Sequence, residues 1–266
     1  SGVVLTGRLS PRSRGRLPGA AATDGALKVP AAALLEMIVR AGNEVDCGSL
    51  EEVVVEAPLT VPEHGHTQVR VSVAGPGPDG RRRVAVHGRP LDPEQGPWTC
   101  HARAVLVPGM PQPTFDLGDW PLPADGDALL PGAHRVWQQD GQTFAEIALP
   151  AELADEAAEF TLHPVLLDTA LSVLDPRGTA DLSVCAGLAV YAEGAASLRL
   201  RITPAPDGRP VLELADPAGE PVAVLGPLTL TAPPAEGAGV LVTTEAPGAG
   251  AAEAQTPSVA LTRRVV

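Results

Sequence analysis

The sequence has few cysteines, few aromatic residues and a deficit of basic side chains, and each shortage excludes a class of protein. The three cysteines, Cys47, Cys100 and Cys185, are scattered and form no CxxC pair, which argues against a disulfide framework or a zinc site. Lysine and arginine number 19 against 32 aspartates and glutamates, so the net charge is −13 at pH 7. No basic surplus is available to displace counterions, and a nucleic-acid partner is therefore not expected.

Long apolar runs are also missing. No stretch approaches the ~18 apolar residues of a membrane-spanning helix, and the first residues lack the charged start and apolar centre of a signal peptide. We expect a cytoplasmic protein that does not enter the membrane. A GxSxG elbow, a Walker loop and a GxGxxG turn before a helix are absent from the sequence. With 44% apolar residues over 266 positions, the chain can bury the core of one large domain or of two small ones.

Short alternating segments dominate the sequence and predict an antiparallel β-rich protein. The predicted strands of the first half cover residues 3–10, 50–61, 67–75, 82–90 and 98–107, and those of the second half cover 134–150 (a hairpin turning at "QDGQ"), 188–194, 197–205, 210–219 and 221–233.

One mostly apolar helix interrupts each half, at 30–45 and at 163–174. A helix that is apolar around most of its circumference is expected to be wrapped by a sheet. This organisation predicts an α+β fold with an N-terminal unit at 1–108, a Pro-rich linker at 109–126, a C-terminal unit at 127–234 and a flexible tail at 235–266.

Two stretches resemble the dehydratase domains of modular type I polyketide synthases. The first is "RLPGAAATDGALKVPAAALLEMIVRAGNEVDCGSLEEVVVEAPLTVP" and the second is "FTLHPVLLDTALSVL". The resemblance extends over residues 3 to 233 and implies a double hotdog, in which two antiparallel sheets each wrap a central helix. It also implies removal of water from a β-hydroxyacyl chain on an acyl carrier protein, with a histidine as base, an aspartate as acid and no cofactor or metal.

The position that corresponds to the base is an alanine. The family motif has the form HxxxGxxxxP, and Gly25 and Pro30 match its glycine and proline. Counting back four residues from Gly25 gives Ala21, whose methyl group cannot accept a proton. Nearby Asp24 is the alternative base that the local sequence offers.

The acid position is retained. Asp168 matches the aspartate of the motif HPxLxDxxx(Q/H), and His163 and Pro164 match its start. Where the family places Gln or His one turn later to orient the carboxylate, this chain has Ser172, whose hydroxyl can bond back to its own helix. Asp168 is thus either a working acid or a relic that hydrogen-bonds or stays protonated, since burial raises the pKa of a carboxyl.

Other elements of the pocket also differ. The family's YGPxFQG loop aligns with "GDALLPG", where only Gly132 matches. Tyr191, the only tyrosine, and His134 are candidate donors to the cleft, although packing of Tyr191 and exposure of His134 are the simpler interpretations. His64 and His66 lack neighbouring ligands, so no metal site is expected.

The sequence therefore predicts a dehydratase-like domain that does not dehydrate β-hydroxyacyl carrier protein and serves the architecture of a dimeric synthase module. The predicted partners are a second copy, with residues 3–10 as the interface, the acyl carrier protein with its β-hydroxyacyl-phosphopantetheine chain, and neighbouring synthase domains. Two alternatives remain: a cyclase, epimerase or double-bond isomerase that uses Asp168, and a module that docks carrier protein.

Overall fold

A computed structural model describes residues 2–11, 22–23, 26–91, 96–121, 128–130, 133–178, 180–231 and 262–265. The description that follows concerns these ranges. Ala21, Asp24, Gly25 and Gly132, which the sequence analysis singled out, lie outside them.

The first half wraps a sheet around one helix, α1 (Ala31–Asn43), which Pro30 precedes as N-cap. The strands of this half are β1 (Val3–Leu9), β2 (Ala22–Thr23), β3 (Ala26–Val29), β4 (Ser49–Val55), β5 (Leu59–Pro62), β6 (Thr67–Val73), β7 (Arg82–Pro90) and β8 (Thr99–Val107). The main sheet has the order β1-β6-β7-β8-β4, and β2, β3 and β5 form a small separate sheet.

Alternation along the strands explains why the sheet faces the helix. In β6 every second residue is buried, from Thr67 to Val73, and the residues between are only partly covered. The buried face is directed at α1, which contacts β4, β6, β7 and β8. This is the period-2 burial expected of a sheet with one solvated face.

The second half repeats the plan around the shorter helix α2 (Pro164–Ser172), which contacts β11 and β14. Its strands are β9 (Ala128–Leu130), β10 (Ala133–Gln139), β11 (Gln142–Ala148), β12 (Asp181–Cys185), β13 (Leu188–Val190), β14 (Ser197–Pro204), β15 (Pro210–Ala215), β16 (Pro221–Leu225) and β17 (Leu228–Thr231), and a 3₁₀ helix covers Ala151–Glu159. The strand order is β13-β16-β15-β14-β11-β10-β9.

The predicted hairpin turn lies between β10 and β11. Asp140 and Gly141 both have positive φ, 52° and 75°, and the flanking residues Gln139 and Gln142 pair directly. Two successive left-handed residues give a two-residue turn whose twist matches that of the strands, and Asp-Gly is a favoured pair for it.

The two sheets are hydrogen-bonded into one through β4, which pairs with β13 and with β12. Among the described residues, most buried apolar side chains of both halves form one continuous core. The chain's one lysine, Lys28 on β3, adds an ion pair with Asp181 on β12.

The Pro-rich segment packs on the outer face of the second sheet. Its described part, 109–121, contains no helix or strand, but Phe115 and Leu117 are buried against Ala215. The Leu117 amide donates to the carbonyl oxygen of Gly219 at 3.0 Å, and Arg199 donates to the carbonyl oxygen of Leu117 at 3.0 Å. The segment is therefore held by the second half of the chain at residues 115–120, while residues 109–114 are exposed.

Several features differ from the sequence-based expectation. The segment 50–61 forms two strands, β4 and β5, because Pro58 lies between them and has no N–H to donate to a ladder. The strands β2, β3, β9 and β12 were not predicted, and the segment 221–233 forms two strands, β16 and β17. Within the segment expected to be a flexible tail, Thr262–Val265 form a strand, β18, which pairs antiparallel with Val3–Thr6 of β1. The free edge of β1 supplies the backbone partners that those residues lack on their own.

All three cysteines are free thiols, and Cys47 and Cys185 are buried. Among the described residues, no helix is long and apolar enough to cross a membrane.

Candidate functional site

Asp168, the residue predicted to hold the acid position, lies in the middle of α2, on the helix that the second sheet encloses. Asp168 is half-buried, and burial raises the pKa of its carboxyl from 3.8 to about 6. Loss of hydration is the cause, since a desolvated carboxylate is disfavoured relative to the neutral acid. Within the described ranges no residue hydrogen-bonds to this carboxylate or pairs with it, so nothing there offsets the effect of burial.

His163 forms the N-cap of α2. It is 1% exposed, and its Nδ1 accepts a hydrogen bond from the Val165 amide at 3.2 Å. The imidazole also meets the ring of Phe160 edge-on, with centroids 4.4 Å apart. Pro164 follows at the first helical position, where its missing N–H costs nothing. His163 therefore has the structural position at the helix start that the sequence favours.

The side chain of Ser172 hydrogen-bonds within its own helix. Its Oγ donates to the carbonyl oxygen of Thr169 at 2.7 Å, and Thr169 Oγ1 in turn donates to the carbonyl oxygen of Val165 at 2.8 Å. The back-bonding expected from the sequence is present. Because a serine hydroxyl has one proton, Ser172 in this conformation has none to donate to Asp168.

Tyr191 lies against the linker. Its ring meets that of Phe115 edge-on, with centroids 6.4 Å apart, and it belongs to the small cluster formed with Leu117 and Ala215. Burial raises the pKa of its phenol. These contacts favour the packing role over the role of donor to Asp168.

The remaining histidines have separate surroundings. His101 is buried on β8, and its Nδ1 lies 3.2 Å from the carbonyl oxygen of Ala57, as expected of a structural histidine. The side chain of His134 is outside the described residues. No three or more His, Cys, Asp or Glu side chains in the described ranges are grouped so as to hold a metal ion.

The basic run at 81–83 is part of a mixed-charge surface. Arg81 donates to Glu51 at 2.6 Å and to Asp79 at 3.0 Å. The same three residues line a surface groove of about 960 Å³ on the first half. A second groove, of about 490 Å³, lies beside it, and Asp168 lines neither of them.

Glu36 is the buried carboxylate that the sequence analysis missed. It lies on α1 and is 6% exposed. Its Oε1 accepts the Thr161 amide and its Oε2 the Leu162 amide, each at 3.0 Å. Burial raises the pKa of Glu36 to about 7, although the two N–H donors act in the opposite direction. The sequence did contain a signal for it. In "ALLEMIV" Glu36 is a single carboxylate among apolar residues of a helix, the same pattern that drew attention to Asp168.

Sequence comparison relates the chain to one family over both halves. The family profile described as "Polyketide synthase dehydratase domain" matches residues 1–89, and the one described as "Polyketide synthase dehydratase N-terminal domain" matches residues 131–186.

Similar segments occur in large synthases. The chain is 38% identical over 248 residues to the mycoketide-CoA synthase of Mycobacterium tuberculosis. The aligned region covers 83% of the chain and 6% of that protein. It is 36% identical over 267 residues to the polyketide synthase GfsB of Streptomyces halstedii, covering 86% of the chain and 5% of that protein. The chain thus spans only a small part of the length of these relatives.

Solved structures of single domains match nearly end to end. The dehydratase domain from the terminal module of the rifamycin polyketide synthase is 35% identical, with a TM-score of 0.77 over 86% of this chain and 91% of that one. The bifunctional dehydratase-cyclase domain of ambruticin biosynthesis is 31% identical, with a TM-score of 0.74 over 86% and 92%. The predicted double hotdog fold is confirmed, and the chain belongs to the dehydratase domain family of polyketide synthases.

Proposed function

We propose that this chain is a catalytically silent dehydratase-like domain of a modular polyketide synthase. The observation that carries the proposal is Ala21, at the position of the family's histidine base. Dehydration needs a base to remove the α-proton and an acid to protonate the leaving hydroxyl, and a methyl group cannot act as the base. General base catalysis contributes about 10²–10⁴-fold to a rate, so this loss alone removes useful turnover.

The surroundings of the acid support the same conclusion. With a pKa of about 6, only about a tenth of Asp168 carries a proton at pH 7. A general acid must donate that proton in a fixed direction. The residue placed to orient the carboxylate, Ser172, donates to Thr169 instead.

The role that remains is architectural. The domain would keep the condensing and reductive regions of a module at their proper spacing and contribute to a homodimer, with the acyl carrier protein and neighbouring synthase domains as further partners. A module with this domain would leave the β-hydroxyl group of its product in place. Residues 3–10 stay our candidate for the dimer interface, and pairing of β1 with a second copy would displace the strand at 262–265.

The test is incubation of the domain with a 3-hydroxyacyl chain on its carrier protein, followed by mass spectrometry of the acyl-phosphopantetheine arm. We expect the mass to stay unchanged, while a dehydratase domain with the His–Asp pair removes one water from the same substrate. A loss of water above that of a boiled sample would show the proposal to be wrong.

A second candidate is a reaction other than dehydration at Asp168. Its support is the half-exposed carboxylate together with the similarity to the ambruticin domain, which is described as a bifunctional dehydratase-cyclase. A cyclase, epimerase or isomerase would alter an acyl chain without removing water, and Asp168→Asn would abolish that change. Binding of carrier protein that survives Asp168→Asn, with no change in the chain, would instead favour a docking role.

A further inference from the structure

The two halves meet in a polar contact between α1 and the segment that leads into α2. Glu36 lies at the centre of this contact. Its two carboxylate oxygens accept the backbone amides of Thr161 and Leu162, which are 125 and 126 positions away in the sequence. All three residues are buried.

Two more side chains extend the contact along the same face of α1. Arg40 donates to the carbonyl oxygen of Glu159 at 3.0 Å. Asn43 donates to Thr161 Oγ1 at 3.3 Å and to Glu193 Oε1 at 2.9 Å. Positions 36, 40 and 43 are four and three residues apart, the spacing that aligns side chains on one helix face.

The segment held in this way ends where α2 begins. Leu162 is followed by the N-cap His163 and by Pro164, which is restricted in φ. A displacement of residues 159–162 is therefore transmitted to α2, since His163 is the one residue between them and Pro164 has little rotational freedom. Asp168 lies one turn further along that helix.

We propose that Glu36 is a positioning residue for Asp168: by holding the amides of Thr161 and Leu162, the helix of the first hotdog fixes where the helix of the second hotdog presents its carboxylate. The proposal does not depend on dehydration, because it concerns the placement of Asp168 and not its reaction.

The carboxylate is suited to this task in a way that its amide is not. Two N–H donors converge on Glu36, and both oxygens of the ionised carboxylate accept. The protonated carboxyl, which dominates below the pKa of about 7, keeps acceptor capacity on both oxygens when its O–H points away from the donors. Glutamine keeps the shape but turns an NH₂ group towards one donor, which leaves a buried N–H without an acceptor. Arg40 and Glu193 are the charged groups that act on Glu36, in opposite directions.

The experiment follows Asp168 directly. The titration of its carboxyl carbon is recorded by NMR in the full chain, with Asp168→Asn for assignment, in the wild type, in Glu36→Gln and in Glu213→Gln. Glu213 is a matched control, because this part-buried carboxylate accepts from Arg201 at 2.6 Å on the second sheet, whereas the side chains that bond to residues 159–162 come from α1.

We expect Glu36→Gln to lower the pKa of Asp168 by about 0.5, since a displaced α2 admits water to the carboxylate. Glu213→Gln is expected to leave it unchanged. Burial is the cause of the raised pKa of Asp168, and Glu36 is not among the groups that shift it. A shift therefore reports displacement of α2.

Hydrogen exchange separates local displacement from loss of global stability. In Glu36→Gln the amide of Leu162 is expected to exchange about tenfold faster than in the wild type, with amides of β14 unchanged. If Glu36→Gln does not fold, Asn43→Ala provides the milder test on the same face, with the same two readouts. An Asp168 titration that is identical in the wild type and in a folded variant of this face would overturn the proposal.

Discussion

Ser172 lies four residues after Asp168 on α2, yet its hydroxyl donates to the carbonyl oxygen of Thr169, at 2.7 Å, and leaves the carboxylate without its expected partner. The resemblance implies Gln or His at this position. Serine is too short to replace them, because its hydroxyl finds an acceptor within its own helix. The loss of function proposed for this domain therefore has two parts, one at Ala21 and one at Ser172.

The first prediction concerns rescue. Ala21→His alone is expected to give less than about 1% of the dehydration rate of an active domain, because Asp168 would still lack an orienting side chain and positioning errors are costly. The readout is loss of water from a 3-hydroxyacyl carrier protein.

Adding Ser172→Gln to Ala21→His is expected to raise that rate above the rate of either single variant. Non-additive gains are typical of residues that act as a unit. Near-normal dehydration by Ala21→His alone would show that the missing base is the only cause of the loss of activity.

The second prediction follows from the raised pKa of Asp168. In the unfolded chain this carboxyl titrates near 3.8, and in the folded protein near 6. Between these values the folded state binds more protons than the unfolded state, so the free energy of unfolding falls as pH rises through this window. Asparagine does not titrate, so in Asp168→Asn this decrease in the free energy of unfolding does not occur.

We therefore expect Asp168→Asn to gain stability relative to the wild type as pH rises from 3.8 to about 6, by about 1–2 kcal/mol after allowance for partial exposure, and to keep that advantage at higher pH. Urea denaturation at several pH values measures it. Ser172→Ala, on the same helix but without a titrating group, is the control and should differ from the wild type by a constant amount. Parallel curves for Asp168→Asn and the wild type would contradict the prediction.

Local patterns in the sequence were sufficient to predict the helices and most strands. They could not predict contacts between residues that are far apart in the sequence. Period-2 alternation predicted β6 and β7 well, and the apolar run around Asp168 predicted α2. The burial of Glu36 depends on amides 125 positions away, and no local pattern reveals such a partner. The same holds for Tyr191, whose neighbour Phe115 lies in a segment that composition alone marks as a linker.

The third prediction concerns that linker. Trp120 donates from Nε1 to Glu146 at 3.1 Å, meets Trp137 and Phe144 edge-on at 5.4 Å, and has the Arg199 guanidinium 5.1 Å from its ring. Trp120→Ala should lower the free energy of unfolding by about 2–3 kcal/mol, less than for a fully buried tryptophan because Trp120 is only partly covered.

Trp98 provides a matched control, because it is another tryptophan stacked with arginine, with Arg70 at 4.5 Å and Arg89 at 4.7 Å. Among the described residues it has no aromatic neighbours of the kind that surround Trp120, so Trp98→Ala should lower the free energy of unfolding by about 0.5–1 kcal/mol. Equal costs for the two variants in chemical denaturation would indicate that the linker does not contribute to the stability of the second half.

The last prediction concerns the edge of β1. Residues 262–265 pair with Val3–Thr6, on the strand that we consider the dimer interface. An uncovered strand edge presents unpaired N–H and C=O groups that another chain can bind. Truncation after Thr231 should therefore raise the dimer fraction at a given concentration, which sedimentation velocity or light scattering would measure.

A full-length variant with Arg263→Pro and Arg264→Pro distinguishes the strand from the rest of the removed segment. Proline has no N–H and cannot continue the ladder, so this variant should dimerise like the truncated chain. Deletion of residues 240–250, which keeps 262–265, should behave like the wild type. If all four proteins have the same mass distribution, strand 262–265 does not control access to β1, and the interface of a dimer must lie on another surface.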